Sequence, residues 1–406
     1  MERGYSSVQE SAMNSRKRMD IAMHKGIADR VPVMCQLALG HYFLNTDIPH
    51  IDIWHDSDAF ARALVSLQRL YGFDGILINL PGREPDWRRH VSRIEDRSGE
   101  TVITWKNGLF TVAPADDNPH VYVGEDVRCF PTFDEVNPDH LFYMEPHDIS
   151  GITYPYTWSF SEDPAPVGGE DFFPPWQCDT IKRTKEMTSG EVSVQAELFS
   201  PFSQFMEMLD YTNGLMALVD DPARVHAILD RFTEGAITLG RLQARAGADA
   251  LLVSSAFTGA GLISRDHYAK FEVPYMKRVI AGIKQEFPDI PVYVHTCGAI
   301  GDRLDLMEET GTDGVDTLDP PPLGTAELAD ALQILGKRVF IKGNLDPVNT
   351  LLMGTPEDVF EAARGRIETA APGGAYVLST ACSVAPAAPP ANIMKLREAV
   401  EEFGRY

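Results

Sequence analysis

The chain has 406 residues, 44% of them hydrophobic and 23% charged, which is apolar enough to bury a large core and excludes a disordered chain. Its 59 acidic and 36 basic side chains give a formal charge of -23, a poor balance for gripping phosphate backbones, so no nucleic-acid partner is expected. Five scattered cysteines, Cys35, Cys129, Cys178, Cys297 and Cys382, are too few and too far apart for a secreted disulfide framework.

The N-terminal stretch MERGYSSVQESAMNSRKRMD has no apolar run of signal-peptide type. No segment approaches the ~20 apolar residues of a membrane span, so a cytoplasmic protein with no membrane partner is expected. Eight short β-rich runs follow in order, at 31–36 (VPVMCQ), 75–79 (GILIN), 192–198 (VSVQAEL), 250–254 (ALLVS), 292–296 (VYVHT), 314–318 (GVDTL), 338–342 (RVFIK) and 375–380 (AYVLST). Helical patterns at 59–71, 267–287, 304–309, 326–335 and 356–371 alternate with them, and a helix over 390–403 closes the chain. Such alternation predicts an α/β fold with a parallel sheet, and eight repeats predict a (β/α)8 TIM barrel as one domain over 1–406. No G-x-G-x-x-G follows the first strand, which argues against a dinucleotide fold.

Residues 83–190, between the second and third strands, are too many for one crossover. Within them GETVITWKNGLFTVA alternates and turns at Lys106–Gly108, the pattern of a β-hairpin. The stretches ADDNPHVYVGED and PVGGEDFFPPW are rich in proline, glycine and acid. The whole reads as an insertion over one end of the barrel, a candidate lid or docking surface.

The chemistry concentrates in VYVHTCG. His295 and Cys297 are two residues apart, so on a strand both side chains point to one face. At the C-terminal tip of a barrel strand that face opens into the mouth, where barrel active sites lie. Imidazole with thiolate suits zinc, which needs a third protein ligand. Cys382, in LSTACSVAPAAPP just past the last strand, is the candidate. Three protein ligands leave one tetrahedral position open, as a catalytic zinc requires. Cys35, Cys129 and Cys178 read as buried, inert thiols.

The segments VHTCGAI, TGTDGVDTLDP, IKGNLDPVNTLLMGTPEDV, PPANIMKLREAVEEF and GADALLVSSAFTGAGLISRDHYAKFEVPYMKRVI together resemble the uroporphyrinogen decarboxylase superfamily over about residues 12–405. That resemblance implies a (β/α)8 barrel and two alternative chemistries. Decarboxylases of the superfamily carry R-Q-A-G-R-Y after the first strand and Gly-His-Gly after the last. Here positions 36–42 read QLALGHY and positions 380–383 read TACS, so the arginines that would grip substrate carboxylates are missing. The other branch comprises corrinoid-linked methyltransferases that bind Zn2+ through His-x-Cys and a distant Cys, matched by His295, Cys297 and Cys382. The resemblance therefore implies a zinc-dependent methyltransferase, with a small methyl donor or acceptor as substrate. No D-x-H-x-x-G segment is present, so the corrinoid (cobalamin) is expected on a separate corrinoid protein.

Two uses of the metal follow: Lewis-acid activation of a methyl ether or alcohol, the O-demethylation reading favoured by the long insertion, or activation of a thiol acceptor. A metal-free lyase and a non-enzymatic docking protein are the alternatives. Gln36, His41, Asn79 and Glu197 are the candidate substrate contacts. Asp319 and Asp346 are expected in turn or capping roles, and Asp249 at the entrance to the fourth strand.

Overall fold

The computed structural model describes residues 13–124, 126–127, 130–148 and 153–406; Cys129 and residues 1–12 of the N-terminal stretch lie outside them. Strand β1 (Gly75–Ile78) is followed by the insertion strands β2 (Val91–Arg97), β3 (Glu100–Trp105), β4 (Phe110–Pro114), β5 (His120–Val123) and β6 (Asp126–Val127). The barrel resumes with β7 (Ser193–Phe199), β8 (Ala250–Ser254), β9 (Val292–His295), β10 (Gly314–Thr317), β11 (Phe340–Leu345) and β12 (Tyr376–Thr380). β1 and β7 to β12 form one curled parallel sheet in that order, with helices around it, an α/β barrel.

The eighth position is filled by residues 32–37, and here the expectation of a regular strand is corrected. The segment joins the sheet by single bridges, Val33 to Leu378 and Leu37 to Val384. Pro32 has no N–H to donate, and the Val33 N–H goes to the Asp74 carboxylate at 2.9 Å, so no continuous ladder forms. The closure still holds. Met34 donates to the Leu378 carbonyl on one side, and Asp74 donates to the Val33 carbonyl on the other. The buried Asp74 carboxylate also takes Arg30 at 2.9 Å and Arg18 at 2.7 Å, which seals the seam.

Side chains fill the barrel in layers. A lower layer of Leu77, Leu252, Tyr293, Phe340 and Val377 packs on Met19, Ala22 and Met23 of the helix Ser15–Met23, which plugs the bottom. Two residues further along three of these strands, on the same face, come Ser254, His295 and Lys342. The period of two thus changes an apolar floor into a polar upper layer.

The expected hairpin is present as β3 and β4, with Gly108 at φ +89 in its turn, a left-handed conformation that favours glycine. It is the centre of a five-stranded antiparallel sheet, β2 to β6, larger than the sequence pattern indicated. Trp87, Ile103 and Trp105 form its own core, and Trp87 stacks on the fully buried His55 of the main body at 4.7 Å between centroids. The helical pattern at 267–287 is two helices, Arg265–Phe271 and Val273–Glu286, broken at Glu272 before Pro274. No helix among the described residues is long and apolar enough to cross a membrane.

Candidate metal centre

His295 ends β9, and Cys297 follows on the strand's exit. Gly298 then turns the chain at φ +79, and its N–H donates to the Asp319 carboxylate at 2.6 Å. Cys382 arrives from the next strand but two: β12 pairs with β11, and the Ala381 N–H extends that pairing to the Leu345 carbonyl. The outcome is a compact trio. His295 Nε2 is 3.3 Å from Cys297 Sγ, and the two sulfurs are 3.6 Å apart. All three donor atoms lie within 4.8 Å of one another.

The imidazole is held from behind. His295 Nδ1 is 3.3 Å from Asp316 Oδ2, and Lys342 Nζ is 3.0 Å from both oxygens of Asp316. Strand register explains why: Asp316 is the pairing partner of His295 on one side and of Lys342 on the other. Three neighbouring strands therefore put imidazole, carboxylate and ammonium at one level. With Nδ1 directed at Asp316, Nε2 is the ring nitrogen that faces the sulfurs.

The electrostatics suit a cation. Burial draws His295 down, but the Asp316 hydrogen bond and the Cys382 sulfur bring it up to about 10. Cys297 is pushed up by its hydrogen bond to Cys382 and by burial, while Cys382 is held well below the usual thiol range chiefly by Cys297 and, against its own burial, by His295. Burial raises Asp316, yet the Lys342 charge and the His295 bond outweigh it and keep the carboxyl below its ordinary range.

The other expected contacts fall into two groups. Gln36 is half-buried beside the Cys382 loop, its carbonyl taking the Val384 N–H at 2.8 Å, and its Oε1 has no hydrogen-bond partner in the protein. Asn79, just past β1, and Glu197, on β7, line one small cavity, and burial raises the Glu197 carboxyl while the nearby His295 and His147 lower it. His41 differs. It is fully buried on the helix Leu39–Asn45, with Nε2 on Tyr71 at 2.7 Å and Nδ1 on the Pro386 carbonyl at 3.0 Å. Both nitrogens are spent on packing, so the structure gives His41 a scaffold role in place of the expected substrate contact.

Asp346 caps the helical turn Pro347–Leu352 through the Val348 and Asn349 N–H groups, and Asp249 holds the Val194 N–H, Lys185 and Arg16 at the strand entrance. Cys35 and Cys178 are buried free thiols. The sequence reading missed Asp316 and Lys342, whose signal was a charge of each sign inside otherwise apolar strands. It also missed Glu145 and His147 of the insertion, which lie by Glu197 and Phe199. A cavity of about 780 Å3 lies at the opposite end of the barrel, lined by Arg16, Asp249 and Pro291 among others, and is remote from these groups.

A parallel barrel with a His, Cys, Cys group at the C-terminal mouth puts the chain in the class of α/β barrels that gather polar side chains at their strand tips. Within that class, residues 164–403 match the uroporphyrinogen decarboxylase (URO-D) family model, and the chain belongs to that family. It is 27% identical over 228 residues to the methylcobamide:CoM methyltransferase MtbA of Methanosarcina acetivorans, covering 55% of this chain and 62% of that protein. It is 35% identical over 244 residues to a uroporphyrinogen decarboxylase of Chlorobium phaeovibrioides, covering 56% of this chain and 65% of that protein. The chain thus matches less than two thirds of the length of these relatives. The fold is similar to that of a methyltransferase from Methanosarcina mazei, with a TM-score of 0.69 at 18% identity over 96% of this chain and 99% of the other.

Proposed function

We propose that this chain is a zinc-dependent methyltransferase moving a methyl group between a small substrate and the corrinoid of a separate protein. The observation that carries this reading is the convergence of His295, Cys297 and Cys382 to within 4.8 Å at the strand tips. One imidazole and two thiolates form a donor set suited to Zn2+, with a fourth position left for substrate. Zinc held there supplies Lewis acidity, which makes an ether or alcohol oxygen a better leaving group or keeps a thiol deprotonated at neutral pH. Asp316 and Lys342 orient the imidazole, and Gln36, Asn79 and Glu197 face the substrate.

Of the two uses, O-demethylation of a methyl ether or alcohol is the one we favour. The insertion adds Glu145 and His147 beside Glu197 and Phe199, an acid- and ring-lined wall that can read an oxygen substrate. The thiol-methylating alternative is supported by the name of the MtbA relative. A metal-free decarboxylase is disfavoured because positions 36–42 offer no arginine for substrate carboxylates. Protein purified without chelator should carry about one zinc. Cys297→Ser and Cys382→Ser should lose the metal and methyl transfer with a cobalamin together. Metal-free protein, or transfer unchanged in both variants, refutes the assignment.

A further inference from the structure

The described cysteines divide by access. Cys35 and Cys178 are buried, whereas Cys297 and Cys382 are half-buried at the barrel mouth. The sulfurs of this second pair are also neighbours, 3.6 Å apart across 85 residues of chain. A disulfide holds its sulfurs at about 2.05 Å, so a closing of about 1.5 Å would join them. Both cysteines lie past the ends of their strands, His295 and Thr380, and not within the ladders. Gly298, at φ +79, has no atom within 4 Å of the place a Cβ would occupy, which gives the Cys297 exit room to shift.

We propose that Cys297 and Cys382 close a reversible disulfide when the site meets a peroxide, and that the bond empties the metal centre. The proposal rests on the zinc reading for what is released, but the bond itself needs only the two sulfurs. One sulfur attacks a peroxide oxygen; the O–O bond breaks and hydroxide leaves, giving a sulfenic acid. The second sulfur attacks the first; the S–S bond forms, the S–O bond breaks and a second hydroxide leaves. Each hydroxide takes a proton from a thiol or from solvent. The two sulfurs together give up two electrons, and one peroxide becomes two waters.

The thiolate is the form that binds metal, and a disulfide has none to offer. His295 is then the one donor left of the three, too few to hold zinc. The neighbouring sulfur also sets where oxidation stops. An isolated sulfenic acid goes on to sulfinic acid irreversibly, whereas one with a second thiol at 3.6 Å condenses to a disulfide that a thiol reductant reopens.

The test treats the zinc-loaded full chain with one equivalent of hydrogen peroxide. Zinc release is followed with a chromophoric chelator, remaining thiols are counted after denaturation, and unreduced peptides are mapped by mass spectrometry. Three of the five thiols should remain, one zinc should leave per chain, and the Cys297 and Cys382 peptides should be found joined. Dithiothreitol with added zinc should restore both thiols and metal. Cys35→Ser and Cys178→Ser should change none of this. The same treatment of chelator-treated protein separates the proposal from the reading it rests on: a bond that closes there, in a chain that takes up no zinc, refutes the zinc assignment and leaves the disulfide standing. Zinc-loaded protein whose five thiols survive the peroxide overturns the proposal, and so does zinc loss through sulfinic acid or through a bond to any other cysteine.

Discussion

Replacing Asp316 by Asn isolates what the carboxylate does behind His295. Asp316 and Lys342 are both almost wholly buried, and the ammonium lies 3.0 Å from each carboxylate oxygen. Removing one partner of such a pair strands the other charge in low dielectric, a loss of about 3–5 kcal/mol. Lys342→Met made alone leaves the carboxylate stranded and should cost a similar amount, softened by the His295 contact. The double variant Asp316→Asn/Lys342→Met strands nothing, so it should recover most of that stability and reveal a coupling of a few kcal/mol. Metal affinity should not recover. The carboxylate also fixes which imidazole nitrogen carries the proton, and loss of such an orienting group weakens metal binding about 10–100-fold. Urea unfolding of chelator-treated protein gives the first quantity, and competition with a chromophoric zinc chelator gives the second. A double variant whose loss equals the sum of the two single losses would show that the pair is not coupled. Wild-type zinc affinity in both variants would show that Asp316 does not position the ligand.

Three further outcomes follow from particular contacts. Glu272 is fully buried, hydrogen-bonded to Ser255 and to Ser200 at 3.5 Å, and burial pushes its carboxyl from 4.5 up to about 7. A raised carboxyl favours the protonated fold, so its contribution is intact below pH ~4.5 and is lost as pH climbs to ~7, on the order of 3 kcal/mol in all. Glu272→Gln should remove that part of the stability slope in denaturant titrations from pH 4.5 to 8, and superimposable slopes would sink the idea. Gly298→Ala meets no atom within 4 Å, so its cost is the left-handed φ of +79 alone, about 1–2 kcal/mol, together with weaker zinc binding; a neutral result in both assays refutes it. Trp105→Ala removes a ring only 2% exposed whose Nε1 donates to Thr111 at 2.8 Å. It should cost the insertion sheet roughly 3–5 kcal/mol and expose the strands β2 to β4 to limited proteolysis while the barrel transition persists; a barrel that melts with the sheet contradicts this.

What could be read from the sequence, and what could not, divides along a physical line. Period and order are local properties. Seven parallel strands were visible as short apolar runs because each is buried on both faces and flanked by turn residues. His295 and Cys297 were visible because a two-residue spacing on a strand gives one face, and Cys382 because strand tips share a mouth. Register is not local. Nothing in GVDTL or RVFIK says that Asp316 and Lys342 stand side by side, or that His295 stands on the other flank of the same carboxylate. That follows only from the stagger with which the barrel closes, and the stagger is set partly at the seam, where Pro32 and the Asp74 carboxylate break the ladder that the apolar pattern VPVMCQ suggested. His41 shows the same limit in reverse. Its position after the first barrel segment suggested a substrate contact, yet Tyr71 and the Pro386 carbonyl, 30 and 345 residues away, take both of its nitrogens. A donor's chemistry is written in its side chain, but whether that donor is free to act is decided by partners far along the chain. The orienting residues behind a metal ligand are therefore the part of a site that structure adds to sequence, which is why Asp316 is the position whose replacement tests most.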